Sequence, residues 1–407
     1  MHTKSISFEN ASGHKLAALL DLPVDDAPIA FALFAHCFTC SKNYKAVAHI
    51  SRALAAEGVA VLRFDFPGLG ESSGEFAETT FSSNVLDLLA AAEYMERALE
   101  PPKILIGHSL GGAAVLRAAS RIDSARAVVT VAAPSTLEHL EGMLRSQSEE
   151  LEAGGDAEVE IGGRPFWIRR EFLEDLSSVN MREAISNLGR ALMIFHSPED
   201  RVVPIENATE IFRLAKHPKS FISLDRADHL LSDSSDSRYV GSLIAGWARK
   251  YIGAPQEDRK RAQPGDNRVV VRTGAGGFRT EVLANGHPLT ADEPEAAGGT
   301  NAGPSPYELL SSALGSCTSI TLRMYADRKG WPLEAAEVRL KHEKIHCDDC
   351  AESDRPSSRI DHFTREITLE GPLDRSQRDR LLKIADRCPV HRTLTGQIEI
   401  ATTLTEN

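Results

Sequence analysis

Five short runs in the first 200 residues have almost no polar interruption: IAFALFAHC (29–37), VAVLRFDFPG (59–68), KILIGHS (103–109), AVVTVAAPS (127–135) and ALMIFHSPED (191–200). A strand with one face in water alternates apolar and polar residues, so runs of this kind are strands buried on both faces. Between them, YKAVAHISRALAAEG (44–58) and VLDLLAAAEYMERALE (85–100) carry apolar residues at helical spacing. Buried strands separated by helices predict an α/β fold: a mostly parallel sheet with helices on both faces. KSISFEN and KLAALLDLP, joined by ASGH, read as a starting hairpin, and SFISLDRADH extends the series.

At 407 residues the chain is natural for two domains. The seam is APQEDRKRAQPGDNR, which is charged, has two prolines and lacks apolar periodicity. It reads as a linker (254–268) between a first domain (1–253) and a second (269–407). A hydrophobic share of 42% with 26% charged residues is that of an ordinary globular protein. The net charge of -12 repels phosphate backbones, so nucleic acid is disfavoured as a partner. MHTKSISFEN has no apolar signal core, and no stretch approaches the roughly 18 apolar residues of a membrane helix. The expectation is a cytoplasmic protein with no membrane contact. Six cysteines in so long a chain make no disulfide scaffold, so each is expected first as a small buried hydrophobe.

One of the buried strands breaks into GHSLGG. G-x-S-x-G between a strand and a helix is a nucleophile elbow, a sharp turn whose close backbone needs neighbours without side chains. Gly107, Ser109 and Gly111 fill the pattern. A serine hydroxyl needs a base to take its proton and a carboxylate to hold that base. Asp200 follows the strand ALMIFH and His229 follows SFISL, in the Ser, Asp, His order of this type of site. Glu199 and Asp228 are adjacent acids expected to point elsewhere. Donors for an oxyanion are expected from the N–H of Leu110 and, in the loop HCFTCSKN, from Phe38.

These pieces, LFAHCF, RFDFPGLGESSG, GHSLGG, HSPEDRVVP and DRADH, resemble the α/β-hydrolase superfamily of serine esterases over about residues 1 to 253. The resemblance implies hydrolysis of a small carboxylic ester with no cofactor and no metal. Cys37 stands where the family's oxyanion loop has a glycine, and either narrows the acyl pocket or only packs. The region between AAPS and ALMIF would form a cap, where Phe166 and Trp167 either line the pocket or fill the core.

After the linker the grammar changes. RVVVRTGAGGFRTEVLANGHPL reads as paired strands with a turn at Asn285-Gly286. A long helix follows, begun by Ser305 with Pro306 in its first turn and stopped at Gly330. EVRLKHEKIH and DHFTREITLE are strands, RDRLLKIADR is a helix, CPVHRTL opens another, and QIEIATTLT is expected to close as a strand. Cys317 lies inside the long helix. Cys388 sits at a helix start, where N–H groups favour a thiolate, although two buried structural thiols would read the same way.

GPSPYELLSSALGSC and CPVHRTL resemble the osmotically inducible protein C (OsmC) family, which includes the organic hydroperoxide resistance proteins, over about residues 265 to 405. The resemblance implies an intertwined homodimer, a peroxidatic Cys317 and a resolving Cys388, with an organic hydroperoxide as substrate and a dithiol as reductant. The family's peroxidase glutamate falls on Tyr307. Its neighbour Glu308 completes a capping box with Ser305. The family's activating arginine has no clear counterpart, Arg279 being distant. A dimerisation or binding module is therefore the rival for this domain, as a scaffold role is for the whole chain. His342, His346, Cys347 and Cys350 could hold zinc, but a lone CxxC without a second pair favours an ordinary loop.

Overall fold

The computed structural model of the chain describes residues 2–24, 27–37, 39–161, 164–253, 269–274, 277–285, 287–346 and 359–404. β1 (His2–Glu9) and β2 (Lys15–Leu22) form the expected hairpin, in register from His2↔Leu22 to Glu9↔Lys15. β3 (Ala30–Ala35), α1 (Lys45–Ala56), β4 (Val59–Phe64), α2 (Phe81–Ala98), β5 (Ile104–His108), α3 (Leu110–Ala118) and β6 (Ala127–Val131) then alternate. An insertion follows: α4 (Glu138–Arg145), α5 (Glu149–Glu152), the antiparallel pair β7 (Ala157–Ile161) and β8 (Arg164–Ile168), α6 (Arg170–Ser178) and α7 (Met181–Ser186). The series resumes with β9 (Ala191–His196), α8 (Glu206–Leu214), β10 (Lys219–Ser223) and α9 (Ser234–Ala248).

Eight strands make one sheet in the order β1-β2-β4-β3-β5-β6-β9-β10, parallel from β4 to β10. Successive residues of a strand point to opposite faces, and here both faces are covered. Phe31, Leu33 and Ala35 of β3 pack with α2 and α3 on one side, while Ala30, Ala32 and Phe34 pack with α1 and α9 on the other. That is why the strands read as continuous apolar runs.

α2 starts four residues before the periodic pattern suggests. Thr80 accepts the Ser83 N–H at 3.1 Å and the Ser83 hydroxyl accepts the Thr80 N–H at 2.8 Å, a capping box built from two hydroxyl residues. In the insertion, Phe166 is half-buried with its ring 4.8 Å from that of Phe76, as core filling, and Trp167 is 50% exposed.

The chain divides into two compact units, Met1–Arg272 with Glu281–Pro288, and Thr273–Thr280 with Leu289–Asn407. The expected linker, 254–268, lies outside the described residues. β11 (Val269–Thr273), β12 (Thr280–Ala284) and β13 (His287–Ala291) make a three-stranded sheet in that order. Asn285 adopts a positive φ of 49°, and Gly286 lies outside the described residues.

α10 (Pro306–Lys329) has the predicted ends: Ser305 and Glu308 form the capping box, and Gly330 closes the helix at φ 64°. β14 (Ala335–His346) and β15 (Arg359–Glu370) pair antiparallel, followed by α11 (Arg375–Ala385) and α12 (Pro389–Leu394). Leu322 and Ala326 of α10 meet Leu381, Ile384 and Ala385 of α11 in a small core.

Two expectations fail. Residues 397–404 are not a strand; Ile398, Ile400 and Leu404 are exposed, because an alternating segment forms a strand only against a partner, and among the described residues it has none. Cys37 is also more than a packing residue, since it is bonded to Cys40 across three positions, with Cα atoms 5.4 Å apart. A count of cysteines in the whole chain does not see a local pair.

Asp87 of α2 shows how the main sheet tolerates a buried charge. Its Oδ1 accepts Asn10 Nδ2 at 2.6 Å, tying the first hairpin to α2, while Oδ2 is buried without a hydrogen-bond partner among the described residues. Burial pushes this carboxyl from 3.8 up to about 6, against the bond from Asn10 and the charge of His14. The folded state therefore holds a proton that the unfolded chain releases, and stability is lost as pH rises through this window. Asp87→Asn, which keeps the Asn10 bond, should add about 2 kcal/mol at pH 7 and flatten the dependence between pH 4 and 6 in thermal unfolding followed by circular dichroism. An unchanged Tm would mean that Asp87 is solvated in the folded protein.

Candidate active site

Ser109 occupies the turn between β5 and α3 at φ 55° and ψ -126°, a conformation rare for any residue with a Cβ. Two glycines make the turn possible. A Cβ on Gly107 would strike the Gly111 carbonyl, and one on Gly111 would strike the carbonyl oxygens of Ala35 and His36 at the end of β3. The Ser109 N–H donates to the Val131 carbonyl at 2.8 Å, so the neighbouring strand also holds the turn.

The side chains of Ser109, His229 and Asp200 meet at the carboxyl ends of β5, β10 and β9. His229 Nδ1 donates to Asp200 Oδ2 at 2.8 Å, which leaves Nε2 to accept from Ser109 Oγ at 3.0 Å. Asp200 Oδ1 accepts the N–H groups of Val202 and Val203, each at 2.9 Å. Burial alone would raise the Asp200 pKa; the His229 bond and charge and these two N–H groups outweigh it and hold the carboxyl below its usual range. Glu199 is exposed, and Asp228 accepts the Ser232 N–H at 2.8 Å. Leu110 begins α3, where first-turn N–H groups have no intrahelical partner. Phe38 lies outside the described residues.

Three buried histidines surround this chain, and the sequence reading missed all three. His108 Nε2 donates to the His229 carbonyl at 2.7 Å, fastening the loop of His229 to the residue before Ser109. His196 Nε2 donates to the Val203 carbonyl and His36 Nδ1 to the Cys37 carbonyl, each at 2.7 Å. Burial, then the charge of His229, lowers His108 to about 4; burial also lowers His36 and His196. They are neutral donors near pH 7. Their signal was a polar residue at the end of an apolar strand in GHS, AHC and FHS.

The loop after β3 is pinned by buried charge. Lys42 Nζ reaches Asp65 Oδ2 at 2.6 Å and Glu71 Oε2 at 2.7 Å, the Lys42 N–H donates to Asp65 Oδ1 at 2.6 Å, and Arg63 donates to the Lys42 carbonyl while pairing with Asp21.

In the second unit Cys388 is fully buried and Cys317 partly so, both free thiols. Cys388 Sγ accepts the His391 N–H at 3.3 Å and lies 3.6 Å from the Thr318 hydroxyl. Arg365 donates to that hydroxyl at 3.1 Å and to the Ala385 carbonyl at 3.2 Å, and pairs with Asp386 at 2.6 Å. This guanidinium was not legible in the alternating strand that carries it. Glu308 caps α10, and the bond from the Ser305 N–H lowers its pKa. Tyr307 stacks on His342 at 4.1 Å, and His342 Nε2 meets Asp361 at 2.9 Å. Cys347, Cys350 and the His346 side chain lie outside the described residues, among which no cluster of three metal-ligating side chains occurs. No described helix is long and apolar enough to cross a membrane.

A hydroxyl on a strained strand-to-helix turn, backed by an imidazole and a carboxylate from later strand ends of one parallel sheet, defines the α/β-hydrolase class. The chain belongs to the alpha/beta hydrolase family, whose model matches residues 32–297. It also carries a C-terminal OsmC-like domain, the OsmC-like protein model matching residues 299–403. The esterase domain of a Rhodothermus marinus protein is 49% identical, with a TM-score of 0.52 over 62% of this chain and 100% of that one. Est1E of Butyrivibrio proteoclasticus, solved with ferulic acid, is alike in fold alone: 20% identity and a TM-score of 0.54 over 61% of this chain and 99% of the other. Mouse mitochondrial palmitoyl-protein thioesterase ABHD10 is 25% identical over 192 residues, 44% of this chain and 62% of that protein. The chain thus spans less than two thirds of that relative.

The tight turn gives a direct check. Gly111→Ala places a methyl group against two backbone carbonyls that cannot move without β3, so a loss on the order of 3 kcal/mol is expected in urea denaturation. Wild-type stability in this variant would mean that β3 and α3 lie further apart.

Proposed function

We propose that the first unit is an ester hydrolase in which Ser109 is the nucleophile, His229 the general base and Asp200 the group that orients and stabilises the imidazolium. The observation that carries this is the hydrogen-bonded chain Ser109–His229–Asp200 at 3.0 and 2.8 Å, mounted on a turn held at positive φ. His229 takes the Ser109 proton as Oγ attacks the substrate carbonyl, then returns it to the leaving alcohol or thiol. The resulting acyl-serine is hydrolysed by water through the same base. The N–H groups of Leu110 and Phe38 take the oxyanion charge. The substrate is a small carboxylic ester or a thioester; the esterase and thioesterase relatives support both. Ser109→Ala should lower turnover of p-nitrophenyl butyrate and of a palmitoyl thioester by about a thousandfold or more with the circular dichroism spectrum unchanged. Retained turnover, together with no labelling of the wild type by a fluorophosphonate, would favour a binding or scaffold role.

The OsmC-like domain supports a second activity, reduction of organic hydroperoxides. The Cys317 thiolate attacks the peroxide oxygen, releasing an alcohol and leaving a sulfenic acid; the Cys388 thiol condenses with it to a disulfide and water, and a dithiol restores both thiols. The specific support is the polar surround of Cys388, where Thr318, the His391 N–H and, one residue away, Arg365 gather. Exposed Ile398, Ile400 and Leu404 fit a homodimer in which this alternating segment pairs with a second copy. Dithiol-dependent consumption of cumene hydroperoxide by Ser109→Ala protein should vanish when Cys317→Ser is added. Consumption at the buffer rate in both proteins would leave the second unit a dimerisation or binding module.

A further inference from the structure

His229 stands on the loop between β10 and α9, where nearby Leu231 holds a positive φ of 50°, a conformation that a bulky side chain rarely adopts. Such strain persists where the surroundings impose it. Two polar ties join this loop to the ends of other strands: the His229 ring to Asp200 after β9, and the His229 carbonyl to the His108 ring on β5. A single hydrogen bond to Nδ1 fixes a point on the imidazole and leaves the ring free to pivot about it. The second tie fixes the backbone that carries the ring. Its position in the chain matters, because His108 directly precedes Ser109. His108 Nε2 reaches the His229 carbonyl at 2.7 Å, and His229 Nε2 reaches Ser109 Oγ at 3.0 Å. Residues 108, 109 and 229 therefore close a ring of contacts, with the backbone and the imidazole of His229 held by two consecutive residues.

We propose that His108 is a positioning residue of the hydrolase, holding the imidazole of His229 in line with Ser109 through its bond to the His229 carbonyl. This rests on Ser109 being the nucleophile and His229 its base. The His108 ring is buried, and its Nδ1 has no hydrogen-bond partner among the described residues. A bare buried acceptor costs stability, and an apolar side chain would fill the same space without one. What the imidazole adds at this place is the Nε2 donor. The two rings lie 5.4 Å apart between centroids, so a charged His108 would oppose the imidazolium that His229 becomes during turnover. Burial, then the charge of His229, lowers His108 to about 4, against the pull of the Asp200 carboxylate, and the ring gives its hydrogen bond while neutral. His196 makes the matching bond to the Val203 carbonyl, but Asp200 is held as well by the N–H groups of Val202 and Val203. The acid is thus fixed several times over, whereas the base has one donor on its backbone carbonyl.

The test compares full-length wild type with three variants: His108→Leu, which removes the donor, His108→Gln, whose amide nitrogen stands near the place of Nε2, and His108→Asn, whose amide is one methylene too short. Each is read for kcat and KM with p-nitrophenyl butyrate, and for its rate of labelling by a fluorophosphonate. Expected in His108→Leu and His108→Asn is a fall of about tenfold or more in kcat and in labelling rate, with KM little changed, as follows when a reacting group is displaced by about 1 Å. His108→Gln should recover most of both. Added to Ser109→Ala, His108→Leu should cost nothing further, because no hydroxyl is left to align. If His108→Leu does not fold, the comparison of His108→Gln with His108→Asn decides. Wild-type kcat in His108→Leu, or equal rates in His108→Gln and His108→Asn, would overturn the proposal. Turnover that survives Ser109→Ala would instead overturn the hydrolase reading, and this role of His108 with it.

Discussion

Backbone lies against backbone where the first turn of α3 meets the end of β3, and the geometry of the hydrolase unit depends on that contact. Gly111 faces the carbonyls of Ala35 and His36, and Gly107 faces the carbonyl of Gly111. No side chain fits in either gap, so the Ser109 turn and the end of β3 share one surface. Whatever places Ser109 therefore also places the chain from His36 onward. The positive φ of Ser109 is sustained by the same crowding, with the N–H held by Val131 of the next strand. Strain of this kind persists where its surroundings determine it more than once.

Around this contact the sheet accepts polar groups that a core normally excludes. Asp65 takes the Lys42 ammonium, the Lys42 N–H and the Glu71 N–H, so its charge is compensated three times within hydrogen-bond distance. Such pairs add little net stability, but removing one partner strands the other in a medium of low dielectric. Their effect is positional: the far end of the loop after β3 is fixed by bonds with direction rather than by apolar contact. His36, His108 and His196 do the same with neutral rings, each giving an N–H to a backbone carbonyl of a site loop. Burial keeps them uncharged, and so keeps extra positive charge away from His229.

The parts of this structure that follow from local chemistry were legible in the sequence. Strands buried on both faces announced the parallel sheet, the glycines around Ser109 announced the turn, and Ser305, Glu308 and Gly330 marked both ends of α10. The early start of α2 was hidden because a serine replaces the usual Glu at the third position of its capping box. What could not be read depends on partners far along the chain. His108 gains its meaning from a carbonyl 121 residues away, and Arg365 from Thr318, 47 residues away. The alternation in 397–404 was real, but alternation specifies a strand only when an edge is available to pair with it.

Arg365 and Lys42 show one solution used in both units. Arg365 spends its fork on the Thr318 hydroxyl, the Ala385 carbonyl and Asp386, so a single guanidinium joins β15, α10 and the end of α11 three residues before Cys388. Lys42 likewise joins the loop after β3 to Asp65 and Glu71. In each case the donors are taken up by groups other than Ser109 or the Cys388 thiol. A fully engaged cation contributes geometry more than charge to its neighbour, because its field is already met by a carboxylate within 3 Å. The thiol of Cys388 therefore owes its setting to direct contacts with Thr318 and the His391 N–H, and Arg365 acts on it only through the Thr318 hydroxyl it holds.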